Sequence, residues 1–84
     1  MVDDKPEWVD KWEEVKSSNI AAVGTKDDWL VVKFRKNGAI YRYNGYADLF
    51  SDVCAAPSAG KFLNKEVLSF EAGERLPLGE WPED

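Results

Sequence analysis

"KFRKNGAIYRY", residues 33–43, decides how the rest of the chain is read. Asn37-Gly38 is the preferred pair at the tip of a two-residue type I′ hairpin, because both turn positions need positive φ. That turn pairs Lys36 with Ala39, Arg35 with Ile40, Phe34 with Tyr41, Lys33 with Arg42 and Val32 with Tyr43. Side chains alternate between the faces of a strand. Leu30, Val32, Phe34, Tyr41 and Tyr43 therefore share one face, which is apolar and reads as core. Trp29, Val31, Lys33, Arg35, Ile40 and Arg42 share the other, which sets three cations beside an indole. The same register puts Lys33 directly opposite Arg42. Like charges facing across a hairpin cost stability unless an anion neutralises them.

Outward from the hairpin, "IAAVG" at 20–24 reads as a short strand, with a polar turn at Lys26-Asp27-Asp28 before "WLVVKFR". Before it, "DDKPEWVDKWEEV" reads as a helix. Acidic residues crowd its start, Pro6 suits a first-turn position, and Trp8, Trp12 and Val15 fall at i, i+4 and i+7. That stripe clamps the helix over the core or, alternatively, makes a homo-oligomer contact. Two helices follow the hairpin. Leu49, Phe50 and Val53 lie on the stripe of the first, with Cys54 beside them as a small buried hydrophobe. Ser58 caps the second, with Phe62, Leu63 and Val67 facing inward. From Glu71 the chain is acidic and without period, and Trp81 pins it to the surface. The expected fold is α+β: a small antiparallel sheet of about three strands built on the Asn-Gly hairpin, packed against two C-terminal helices, with an extra N-terminal helix. The expected segments are 1–16, an acidic helix bearing tryptophans; 17–70, the domain itself; and 71–84, an irregular acidic tail.

Eighty-four residues suffice for one small core. The net charge of −5 is unevenly spread. Residues 17–70 carry seven basic and five acidic side chains, whereas the two flanks carry four and eleven. Long duplex DNA, which demands many phosphate neutralisations, is a poor partner for such a chain. A small phosphate-bearing ligand is compatible with it. No apolar run is long enough for a membrane span, and "MVDDKPEW" lacks the basic-then-apolar order of a signal peptide, so the expected location is cytoplasmic. A single cysteine gives no internal disulfide, and without histidine the commonest general base and metal ligand are missing. The paired carboxylates Asp27-Asp28 and Glu13-Glu14 are sequence neighbours, which do not face one another. No catalytic residue, metal ligand or cofactor is expected, and the chain does not read as an enzyme. "SAGKF" is not a phosphate-binding loop: Phe62 follows Gly60-Lys61 and Ala55 stands where the first glycine belongs.

Several of these stretches together resemble the KTSC domain, named for its occurrence at the C-terminus of some lysyl-tRNA synthetases and found in small bacterial and phage proteins. The resemblance rests on Ser17-Ser18-Asn19, Ala22-Val23-Gly24, Gly38, Tyr41-x-Tyr43 and Ser58-x-Gly60-Lys61-Phe62-x-Asn64, in that order. It departs at Thr25-Lys26, where an aromatic and an acid are usual, and at Ala47, where proline is. The resemblance implies a compact α+β module with no reaction of its own, for which nucleic-acid binding has been suggested. The expected function is a non-enzymatic binding module for a phosphate-bearing ligand: a nucleotide, including a signalling nucleotide, or a short RNA. Lys33, Arg35 and Arg42 would neutralise phosphate, and Trp29, Tyr41 or Tyr43 would stack a base. Ser58, Lys61 and Asn64 would supply hydrogen bonds. For Tyr41 and Tyr43 the structural reading, as core, is the stronger. The alternative function is a protein-interaction module whose basic hairpin face docks an acidic partner or the protein's own acidic flank.

Overall fold

A computed structural model describes residues 5–82. Five strands form one antiparallel sheet in sequence order: β1 (Lys11–Glu14), β2 (Ile20–Lys26), β3 (Trp29–Phe34), β4 (Ile40–Asn44) and β5 (Glu74–Arg75). Between β4 and β5 the chain makes a 3-10 turn over Ala47–Leu49, then α1 (Phe50–Ala55) and α2 (Ala59–Leu63). The latter runs on as a π-helical turn over Asn64–Leu68. The α+β class and the two C-terminal helices stand as expected. The strand count of about three is corrected to five, because the flanks supply the two edge strands.

The sheet has two covered faces. On one, Ile20, Val23, Leu30, Val32 and Tyr43 meet Val53 of α1, Ala59 and Leu63 of α2 and Val67 of the π turn. Leu63 and Val67 are fully buried, and Phe34, Tyr41 and Phe62 pack against this cluster from its rim. On the other, Val31, Ile40 and Leu76 form a smaller cluster walled by Trp8, Trp12 and Trp81. Apolar alternation built both, as the strand period requires.

The N-terminal helix is corrected to a strand. Spacing of i and i+4 fits a helix and equally a strand of period two, so Trp8 and Trp12 alone could not separate them. Val15 does separate them. A helix would put it on the tryptophan stripe, yet it packs on the helix-covered cluster while Trp8 and Trp12 pack on the opposite one. Pairing prevails because a lone short helix is marginal, whereas β2 offers an open edge. Gly24 permits the close approach: a Cβ there would strike the Lys11 carbonyl and the Trp12 ring.

The hairpin forms, but not with a two-residue Asn-Gly turn. Only Gly38 takes positive φ, +71°, while the Asn37 side chain accepts a hydrogen bond from Ala39 N at 3.0 Å. Residues 35–38 form a four-residue loop, closed by Phe34 N to Ala39 O at 2.9 Å and Gly38 N to Phe34 O at 3.0 Å. Arg35 N donates instead to Asn19 O at 2.9 Å, so Arg35 leaves the ladder with β4. The register consequently slips by two: Val32 faces Tyr41, Val31 faces Arg42 and Lys33 faces Ile40. A shift of two keeps every side chain on its expected face, which is why the face assignment survives. The opposition of Lys33 and Arg42 does not.

Within the stretch read as an irregular tail, Glu74 and Arg75 pair with β4. Arg42 faces Glu74 and Tyr41 faces Arg75 across β4–β5, and Leu76 N donates to Ile40 O at 2.8 Å. This covers the outer edge of β4. Cys54 is exposed rather than buried. Desolvation first, and the Glu13 carboxylate second, hold its thiol above the ordinary value, the opposite of an activated thiolate. No helix among the described residues is long and apolar enough to cross a membrane.

Candidate functional site

A cleft of about 600 Å³ opens between the hairpin tip and α2. Three segments distant in sequence build it. The loop after β1 contributes Asn19; its shape is set by Ser17 Oγ, which accepts from Asn19 N and Ile20 N at 3.2 Å each. The hairpin contributes Lys36, Asn37 and Tyr41, and α2 with its π turn contributes Gly60, Lys61 and Asn64. Ile20, Phe34, Tyr43 and Leu68 make an apolar floor. Gly60 joins the segments, since a Cβ there would lie 2.9 Å from Ser17 Oγ. Ser58 caps α2 by accepting from Lys61 N at 3.3 Å, an ordinary helix start.

The two tyrosines divide. Tyr43 is 1 % exposed and belongs to the core. Burial, and secondarily Tyr41, push its hydroxyl up to about 12. Tyr41 is half-buried, held edge-on by Phe34 with ring centroids 5.4 Å apart, and its ring forms part of the cleft wall.

The cations divide as well. Arg42 lies on the far face, 4.1 Å from the Trp29 ring and 4.7 Å from the Trp81 ring, with its Nε 2.6 Å from Glu74 Oε1. Arg35 gives its guanidinium to three backbone carbonyls: Ser17 at 2.9 Å, and Val15 and Ile20 at 3.3 Å each. Trp29 is covered by Arg42 and meets the Trp81 ring edge-on at 5.6 Å. Lys33 is directed away from the cleft, opposite Ile40. By contrast, the ammonium groups of Lys36 and Lys61 make no ion pair or hydrogen bond among the described residues, nor do the side-chain amides of Asn19 and Asn64. No carboxylate lines the cleft among the described residues.

Of the expected site residues, the structure therefore brings together Tyr41, Tyr43, Lys61 and Asn64, with Ser58 capping the helix that carries two of them. Lys33, Arg35, Arg42 and Trp29 stand apart from them. Sequence reasoning missed Asn19, Lys36 and Asn37 as lining groups. Their signal was positional: Asn19 sits within the Ser-Ser-Asn stretch and Lys36 beside the turn.

The KTSC domain family model matches residues 16–69, which include all three segments of the cleft. No curated protein and no solved structure matches the chain.

Proposed function

The chain belongs to the KTSC domain family, and from that premise we propose that it is a non-enzymatic binding module for a phosphate-bearing ligand, a nucleotide or short RNA, held in the cleft between hairpin tip and α2. One observation carries the reading: two uncommitted lysines, two uncommitted amides and an aromatic wall converge on an apolar floor with no carboxylate among them. A few convergent polar groups over an apolar surface are the usual make-up of a small-molecule site. Lys36 and Lys61 neutralise phosphate, Asn19 and Asn64 donate or accept at polar edges, and Tyr41 offers a ring to a base. Among the described residues, the lining is one of charge, amides and a ring, the make-up of a binding site.

The test is a titration with mononucleotides and short RNAs followed by amide NMR. Shifts concentrated at Asn19, Lys36, Tyr41, Lys61 and Asn64 are expected. Shifts confined to Arg42 and Trp81, or none with any of these ligands, would sink the proposal.

A second reading has its own support. The basic hairpin face docks the protein's own acidic flank, as the Arg42–Glu74 pair and the Trp81 ring over Arg42 suggest. It predicts that heating curves of the free protein depend on salt, since an ion pair with an exposed partner is screened. The two readings concern different faces and are compatible.

A further inference from the structure

Resting on the proposed cleft function, we infer that the site takes one nucleotide unit with a single phosphate group, without a divalent metal. The phosphate sits between Lys36 and Lys61 and the base lies against Tyr41. Three features of the lining lead there. The first is its charge: two ammonium groups and, among the described residues, no carboxylate. A magnesium-bound triphosphate is ordinarily held through carboxylates and substrate phosphates together. A lining without acids has nothing to offer the metal, while two lysines match the charge of one phosphate. The second is size. About 600 Å³ lies within the roughly 300–1,000 Å³ range of sites for one small ligand. The third is that the cations and the ring come from both sides of the cleft, the hairpin and α2. Lys36 belongs to the hairpin tip, Lys61 to α2 and Tyr41 to β4. A ligand touching all three must bridge the cleft, which a phosphate joined to a sugar and base does and inorganic phosphate does not. The same chemistry is presented by a free mononucleotide and by one residue of a single-stranded RNA, so the measurement has an arm for each.

Calorimetric titration of the full chain would use the four ribonucleoside monophosphates, inorganic phosphate, adenosine triphosphate and a single-stranded tetranucleotide, each with EDTA and with magnesium. The inference expects at least one monophosphate to bind equally in EDTA and magnesium, and at least ten-fold more tightly than inorganic phosphate. Lys61→Gln and Lys36→Gln, both exposed positions, should each weaken that binding about ten-fold without moving the melting temperature. Tyr41→Leu, which keeps apolar bulk, should weaken it by a similar factor, and Tyr41→Phe should restore it. Tetranucleotide binding at about the monophosphate affinity would assign the site to either source, whereas a gain of a hundred-fold or more would assign it to RNA and overturn the single-unit inference. Binding that needs magnesium, or that prefers triphosphate with metal, would overturn it and leave the cleft standing as a binding site. Failure of every ligand would instead remove the proposed function itself.

Discussion

The two sides of the sheet at the β3–β4 hairpin hold cations in opposite settings. On the face walled by the tryptophans, Arg42 is enclosed between Trp29 and Trp81 and paired with Glu74, with its own side chain 14 % exposed. On the side toward α2, Lys36 of the hairpin loop and Lys61 of α2 line the same cleft as Tyr41 with nothing from the described chain to neutralise them. Both settings combine cations with aromatic side chains, which by local sequence look alike. The difference is what distant chain supplies. The C-terminal flank brings a carboxylate and an indole to the first, and no acidic residue among those described lines the second. A cation's availability is thus a property of the fold, not of the strand that bears it.

The largest effect tests the boundary between core and cleft. Tyr43 is fully enclosed, and residue 73 must be glycine partly because a Cβ there would run into the Tyr43 ring. Tyr43→Ala should cost about 3–5 kcal/mol, as removal of a buried aromatic does, read as a shift of the urea midpoint. Tyr41→Ala should cost clearly less because Tyr41 is only half-buried. Equal losses would show that the tyrosines share one role and that the cleft wall is simply core.

Next comes the enclosed arginine. Arg42→Glu sets two carboxylates opposite one another and removes a cation stacked on two rings. Each stack is worth roughly 0.5–2 kcal/mol, while the pair itself is discounted because Glu74 is 61 % exposed. A total loss of about 2–3 kcal/mol is expected. This reverses the expectation from a Lys33–Arg42 opposition, under which the same change relieves repulsion and leaves the fold as stable or more so. Adding Glu74→Arg should recover only the ionic part. Full recovery would mean that the tryptophans contribute nothing, and an unchanged melting temperature for Arg42→Glu alone would mean that this face is open.

Much of the fold could be read from the sequence. Alternation in "WLVVKF" and "IYRYN" assigned both faces correctly, because burial repeats every two residues whatever the exact register. The capped helix at Ser58 was equally plain, since its signal is local. The turn, the N-terminal strand and β5 were not, and for one reason: each is settled by a partner far along the chain. Asn19 draws Arg35 out of the hairpin ladder, Gly24 admits Lys11 and Trp12, and the edge of β4 orders Glu74 and Arg75. The site was half legible on the same grounds. Tyr41, Lys61 and Asn64 were in view, but nothing near Arg42 in sequence shows that Glu74 will neutralise it.

Alkaline pH sharpens the contrast between the tyrosines. The Tyr43 hydroxyl is pushed from about 10 up to about 12, by burial first and Tyr41 second. In the unfolded chain it ionises near 10, so its contribution is fully present below that pH and is lost as pH rises from about 10 to about 12. The loss should be on the order of 2 kcal/mol. Tyr43→Phe should flatten the decline in this window relative to the parent, measured by urea unfolding at about pH 9 and about pH 12. A parallel decline in both proteins would mean that the hydroxyl is not withdrawn from water.

The smallest effect lies at the tip joining the two faces. A two-residue Asn-Gly turn would make Asn37 and Gly38 equally intolerant, since both would need positive φ. In the four-residue loop they are unequal. Gly38 sits at +71°, and a Cβ added there would have nothing within 4 Å, so Gly38→Val suffers backbone strain and no clash. The cost should be about 1–2 kcal/mol, the penalty of a left-handed L-residue. Asn37 keeps negative φ, and Asn37→Ala loses one hydrogen bond to Ala39 N, worth about 0.5–1.5 kcal/mol. Strain should therefore outweigh the bond by a modest margin. Because Asn37 also lines the cleft, Asn37→Ala is expected to weaken ligand binding as well as stability, whereas Gly38→Val, which adds its side chain in open space, should lower stability more than binding. Thermal melts of the two single variants decide it: equal, large losses would return the hairpin to a two-residue turn and, with it, bring Lys33 back opposite Arg42.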